Sequence, residues 1–210
     1  MLNRNSLLLY LCTDRALSAG RSLLEAVAVA AAGGVTMVQI REKEVVSREF
    51  YKLALELRVL TRCLGLPLVV NDRVDIALAV RAEGLHLGQT DLPLSIAREI
   101  VGRDMFIGVS VGTVEEARVA QRDGADYLGV GAVFPTGSKS DAGEAIGLER
   151  LQEICGAVTI PVVGIGGVNV LNAAQMRRAG AAGVAVISAI LSQPDIKAAA
   201  EALSQAVRDF

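Results

Sequence analysis

Short apolar runs alternate with longer segments of helical spacing along the whole chain. The runs are Leu7–Cys12, Thr36–Ile40, Pro67–Val70, Gly84–Leu87, Phe106–Val109, Tyr127–Val130, Pro161–Gly164 and Gly183–Ile187. They are too short for core helices, and most are near-continuous in apolar residues, as strands buried on both faces of a sheet must be. Between them, apolar positions recur at helical spacing over Ser22–Ala31, Ser47–Leu64, Val74–Arg81, Leu94–Val101, Val114–Arg122, Leu148–Cys155, Asn172–Ala179 and Ile196–Val207. The segments "SREF", "TVEE" and "DLPLS" offer capping residues or an early proline at helix starts. Gly124 and Gly180 are placed to end helices just before the next strand.

About eight strand–helix units predict an α/β fold, a (β/α)8 TIM barrel, with residues 1–210 forming a single barrel domain. An open doubly wound sheet is the competing arrangement. It fits less well, because "CTDR" stands after the first strand where a glycine-rich turn is usual.

A barrel places its binding groups at the C-terminal ends of its strands, and the polar residues here obey that polarity. Strand two ends in "QIREK", strand three in "VVND" and strand four runs into "GQTD"; strand five ends in "GVS". "PTGSK" follows strand six, "GIGG" closes strand seven, and "VISA" closes strand eight. The opposite ends carry mostly Gly, Pro and Ala.

Composition narrows the chemistry. The chain has 210 residues, 52% of them hydrophobic, a formal net charge of -2 and only 3% aromatic residues. It has neither the basic field nor the stacking surfaces of a nucleic-acid binder. Three dispersed cysteines and one histidine, His86, give no zinc spacing and no disulfide framework. The apolar run "LLLYLC" is shorter than the core of a secretion signal, and the stretch from Ala26 to Ile40 is broken by Gly33-Gly34 before it could span a membrane. The chain therefore reads as cytoplasmic, with small-molecule partners, no nucleic acid and no membrane; a homo-oligomer is compatible with the sequence.

Each polar cluster has a plain structural reading beside a functional one. In an extended "VQIREK", Gln39, Arg41 and Lys43 share a face, which suits a multivalent anion; the alternative is surface pairing of Arg41 and Lys43 with Glu42 and Glu44. Asn71, Asp72 and Asp91 are placed either to cap the following helices or to set two carboxylates at the mouth. Two carboxylates suit magnesium, which keeps waters and shares phosphate oxygens. The segment from Pro135 to Gly147 offers Thr136, Ser138 and Lys139 to phosphate, either as a lid or as a surface connection. Gly164–Gly167 and Ser188 fit the phosphate cup that barrels build after strands seven and eight, although a glycine turn alone accounts for the former. His86, inside "GLHLG", is expected to be a hydrogen-bonded core residue, and the cysteines to be packing residues.

Seven segments in order, "VQIREK", "VVNDRVDIA", "GLHLGQTDLP", "IGVSV", "GVGAVFPTGSK", "IPVVGIGGV" and "GVAVISAI", resemble the thiamine-phosphate synthase family over nearly the whole chain. The resemblance implies a transferase of thiamine biosynthesis. Such an enzyme joins 4-amino-2-methyl-5-(diphosphooxymethyl)pyrimidine to 4-methyl-5-(2-phosphooxyethyl)thiazole, releasing diphosphate. It implies Mg2+ on Asp72 and Asp91, and pyrimidine diphosphate on Gln39, Arg41, Lys43, Asn71, Ser110 and Lys139. Of these, Arg41, Lys43, Lys139 and Ser110 are implied to be catalytic. Thiazole phosphate is implied on Thr136, Ser138, Gly167, Ile187 and Ser188. Two positions depart from the family pattern: Ser138 replaces a usual Thr, and Gly112 stands where many relatives have His. The latter, with the carboxylates and Lys139, separates the chain from the related thiazole tautomerases and from a non-catalytic phosphate-binding barrel.

Overall fold

In the computed structural model, which describes residues 2–18, 20–137 and 143–209, eight parallel strands close into one barrel in sequence order. The strands are β1 (Leu9–Cys12), β2 (Met37–Ile40), β3 (Leu68–Asn71), β4 (Gly84–Leu87), β5 (Phe106–Val111), β6 (Tyr127–Val130), β7 (Val162–Ile165) and β8 (Gly183–Val186). Closure is made by β1 against β8, with Leu9 opposite Val184 and Leu11 opposite Val186. That pairing removes the open doubly wound alternative.

The helices are α1 (Leu23–Ala32), α2 (Ser47–Cys63), α3 (Val74–Val80), α4 (Leu94–Val101), α5 (Val114–Arg122), α6 (Gly147–Ala157), α7 (Ala173–Arg178), α8 (Ser188–Leu191) and α9 (Ile196–Ala206). Among the described residues, none is long and apolar enough to cross a membrane. Thr113 and Glu116 form a reciprocal capping box at the start of α5, as "TVEE" predicts. Gly124 and Gly180 take φ of +98° and +99° at the ends of α5 and α7, a conformation that costs an L-residue its Cβ clearance.

Several boundaries shift by one to a few residues from the sequence reading, and one expected cap is not made. The first strand starts at Leu9, not Leu7, because Arg4–Leu7 winds into a 3-10 turn held by the Asn5 amide on Asn3 Oδ1 at 3.0 Å. Ser47 lies inside the first turn of α2 and makes no cap; its hydroxyl instead accepts from Arg73 at 3.0 Å. Strand eight stops at Val186, and Ser188 opens the short α8.

The barrel interior is filled by unequal partners. Tyr127 of β6 and Tyr10 of β1, strands that are not neighbours, meet across the lumen with ring centroids 6.1 Å apart. Space for Tyr127 comes from Gly108 on β5: a Cβ added there would lie 2.0 Å from the Tyr127 ring. Phe106 stands 6.2 Å from the Tyr127 ring, and Gly84 on β4 leaves room for it in the same way. Large side chains set against glycine fill the lumen that eight short strands enclose.

Gly108→Ala is expected to destabilise the protein by about 1–3 kcal/mol through overpacking against Tyr127. Urea unfolding measures this; a midpoint equal to that of the unaltered chain would contradict the packing.

Candidate active site

The strand ends open into a cavity of about 360 Å³ lined by Arg41, Lys43, Asn71, Asp72, Asp91, Ser110 and Thr136, among others. A larger hollow, of about 480 Å³, runs beside α4 and α5 outside the barrel and carries Glu115, Glu116 and Asp123. Its lining holds no lysine or arginine among the described residues, so it is a poor host for an anion. The smaller cavity has the chemistry.

Arg41 and Lys43 follow the end of β2, and their pairings differ from the surface reading. Lys43 Nζ donates to Asp72 Oδ2 at 2.6 Å. Arg41 Nη1 lies 3.8 Å from Asp14 Oδ2, and its backbone N–H donates to Thr13 Oγ1 at 3.2 Å. Glu42 takes Arg15, whose Nε donates to Oε2 at 3.0 Å. The "CTDR" turn after β1 therefore braces the loop after β2. Its signal was present in the sequence as two adjacent opposite charges at a strand end, although it took on meaning only once β1 lay beside β2.

Neither Asp72 nor Asp91 caps a helix. The N-caps of α3 and α4 are Arg73 and Pro93, and neither end has a side-chain cap. Asp72 sits at φ +63°, a left-handed conformation costing roughly 1 kcal/mol or more for a residue with a Cβ. Its N–H donates to His86 O at 2.8 Å, which ties the turn to β4. Asp91 turns back so that Oδ2 accepts from Gly88 N–H at 2.7 Å. Burial pushes the Asp72 carboxyl above the usual aspartate range, and a hydrogen bond with Asp91 adds to the rise, while Lys43 offsets it.

Two carboxylates held this close repel unless a proton or a cation lies between them. Among the described residues no third His, Cys, Asp or Glu completes a cluster. The pair fits an ion that retains water ligands, as magnesium does, and is too sparse for a zinc or calcium cage.

Gln39 is placed differently from its neighbours. It is only 2% exposed and lies a layer below the cavity, where its Nε2 donates to Tyr10 Oη at 2.6 Å. His86 is buried and hydrogen-bonded on both ring nitrogens, Nδ1 to Tyr127 Oη and Nε2 to Ser110 Oγ, each at 2.9 Å. Ser110, at the upper end of β5, is half-buried and lines the cavity, and its backbone carbonyl accepts from Gln89 Nε2 at 2.6 Å. Sequence reasoning passed over Tyr10, Tyr127 and Gln89. The tyrosines stand in apolar runs that look like ordinary strand.

A second, smaller cavity of about 40 Å³ is lined by Thr136, Gly167, Ile187 and Ser188, with Ile165 and Gly166. Thr136, Ile165 and Gly166 also line the first cavity, so the two adjoin. Gly166 and Gly167 have φ of +96° and +63°, and a Cβ on Gly167 would meet Pro135 O at 2.6 Å. Backbone alone fits there. Ser138 and Lys139 lie outside the described residues, as does much of the segment read as a lid.

The thiamine monophosphate synthase family matches residues 9–190 of the chain. A thiamine-phosphate synthase from Clostridium tetani is 54% identical over 196 residues, covering 93% of each chain. One from Moorella thermoacetica is 54% identical over 199 residues, covering 95% of each. The solved structure of thiamine phosphate pyrophosphorylase from Pyrococcus furiosus superposes with a TM-score of 0.91 at 45% identity, covering 98% of each chain. With a matching barrel and sequence over nearly its full length, the chain belongs to the thiamine monophosphate synthase family.

Proposed function

We propose that the protein is a thiamine-phosphate synthase that joins 4-amino-2-methyl-5-(diphosphooxymethyl)pyrimidine to 4-methyl-5-(2-phosphooxyethyl)thiazole and releases diphosphate. The observation that carries this reading is the juxtaposition, in one cavity, of a carboxylate pair with Arg41 and Lys43, beside a glycine-walled cup that shares its wall. The first arrangement suits a diphosphate with its cation, and the second a single phosphate.

Asp72 and Asp91 hold Mg2+ in this reading, and the ion, when bound, withdraws charge from the diphosphate leaving group. Arg41 and Lys43 line the same cavity and stabilise negative charge as the bond to the methylene carbon breaks. The Lys43 side chain is 45% exposed, so its ammonium keeps a solvent-facing side while paired with Asp72. Asn71 and Ser110 supply neutral polar contacts, and Lys139 is assigned to the same anion. Gln39, one layer down, is assigned to the same substrate. Thr136, Ser138, Gly167, Ile187 and Ser188 are assigned to thiazole phosphate.

The substitution is dissociative. The pyrimidine's amino group donates electrons to the cation left by diphosphate departure, and the thiazole nitrogen captures it. This substitution needs no nucleophile or strong base from the protein, and His86 is buried among hydrogen-bond partners. What the protein supplies is position: adjoining cavities set the two reactants side by side. The cytoplasm, where both substrates would be used, is the assigned compartment.

Incubation of the folded protein with both substrates and Mg2+ is expected to yield thiamine phosphate and diphosphate in equal amounts; a folded sample that makes neither would sink the assignment.

Asp72→Asn separates function from stability. Folding raises the affinity of Asp72 for its proton, so ionised Asp72 costs stability; the cost is absent at low pH and grows as pH rises through the raised value. Asn carries no such cost. The variant is expected to melt at or above the temperature of the unaltered chain at pH 7 while turnover falls by roughly 100-fold or more. Lowered melting with unchanged turnover would make Asp72 a structural residue.

A further inference from the structure

A continuous hydrogen-bonded relay crosses the barrel interior. It runs from Gln39 on β2 to Tyr10 on β1 at 2.6 Å, to Tyr127 on β6 at 3.0 Å, to His86 on β4 at 2.9 Å, and to Ser110 on β5 at 2.9 Å. Five side chains from five strands are joined end to end. Both tyrosines are at most 2% exposed, and burial pushes both phenols well above their usual range, so each keeps its proton.

Each tyrosine then has one proton to give, and the first link sets the direction. Gln39 Nε2 is a donor only, so Tyr10 Oη accepts there. If the proton of Tyr10 did not go on to Tyr127, it would be a buried donor turned away from its neighbour, at a cost of roughly 1–3 kcal/mol. Tyr127, accepting from Tyr10, has its own proton left for Nδ1 of His86. A neutral imidazole that accepts at Nδ1 carries its proton on Nε2, and donates it to Ser110 Oγ. Ser110 then has its hydroxyl proton left for the cavity. The opposite sense throughout would require the Gln39 amide turned over, with Oε1 toward Tyr10, and would leave Ser110 donating inward to His86.

We propose that Tyr127 is a positioning residue. It holds His86 with its proton on Nε2 and thereby makes the Ser110 hydroxyl a donor aimed at the anion in the cavity. The functional half of this rests on the diphosphate reading above, because phosphate oxygens accept hydrogen bonds and a serine meeting them has to donate. The relay explains why a tyrosine hydroxyl remote from the mouth matters to a serine at its wall.

His86 is the only histidine, so protein labelled with ¹⁵N-histidine gives one pair of ring-nitrogen resonances. In the substrate-free protein at neutral pH, Nε2 is expected to show the resonance of a protonated nitrogen and Nδ1 that of a bare acceptor; the reverse assignment overturns the proposal. In Tyr127→Phe the two resonances are expected to move toward averaged positions, with kcat reduced roughly tenfold and the KM for pyrimidine diphosphate little changed. The decisive comparison is in a Ser110→Ala background, where Tyr127→Phe is expected to cost nothing further in kcat. A second full loss there would mean that Tyr127 serves packing and not Ser110. If Tyr127→Phe fails to fold, the resonances of the unaltered protein decide the direction by themselves. They also do so if neither substrate is turned over, so that failure of the relay and failure of the assigned reaction are distinguishable.

Discussion

An eight-stranded barrel has to fill its own lumen, and here the filling is done by tyrosine. The rings satisfy the packing demand, but each brings a hydroxyl that water cannot reach, and a buried hydroxyl without a partner is costly. Glycine on the opposing strand makes room for the ring, as Gly108 does for Tyr127. The polar tips must then find one another. They do so through Gln39, His86 and Ser110, and that sequence of contacts links the interior of the barrel to its mouth. Packing below and chemistry above are one construction.

The mouth itself is governed by charge balance. Asp72 and Asp91 are held near one another against their repulsion, by a left-handed turn at Asp72 and by the Gly88 amide on Asp91. Lys43 compensates from the end of β2. Arg41 is steadied by Asp14 and Thr13 from the turn after β1. An arrangement with so much opposed charge on a few residues is unfavourable as a resting surface and well suited to a ligand that carries both signs, a metal–diphosphate pair above all.

The barrel was legible because parallel strands covered on both sides have to read as apolar runs, while helices on the outside keep a polar face. Leu94–Val101 and Gly84–Leu87 are recovered to the residue for that reason. The mouth was legible as a set of strand ends, and Arg41, Lys43, Asn71, Asp72, Asp91 and Ser110 do converge. What the sequence could not show was orientation. Asp72 looks like a helix cap until its φ and the pairing with Lys43 are known. Gln39 shares a strand face with Arg41, yet burial turns its amide to Tyr10. Tyr10 and Tyr127 are separated by over half the chain, and nothing local marks two strand aromatics as hydrogen-bond partners.

Thr136, Ile165 and Gly166 border both cavities, so the two compartments are divided by a shared edge and not by a layer of protein. Occupants of both would border the same three residues and lie side by side. Any free energy of contact between them belongs equally to the binding of each, so whichever arrives second is held more tightly if the contact is favourable, by the same factor in either order. Cooperation between two ligands then needs no conformational switch: it follows from the edge that their cavities share.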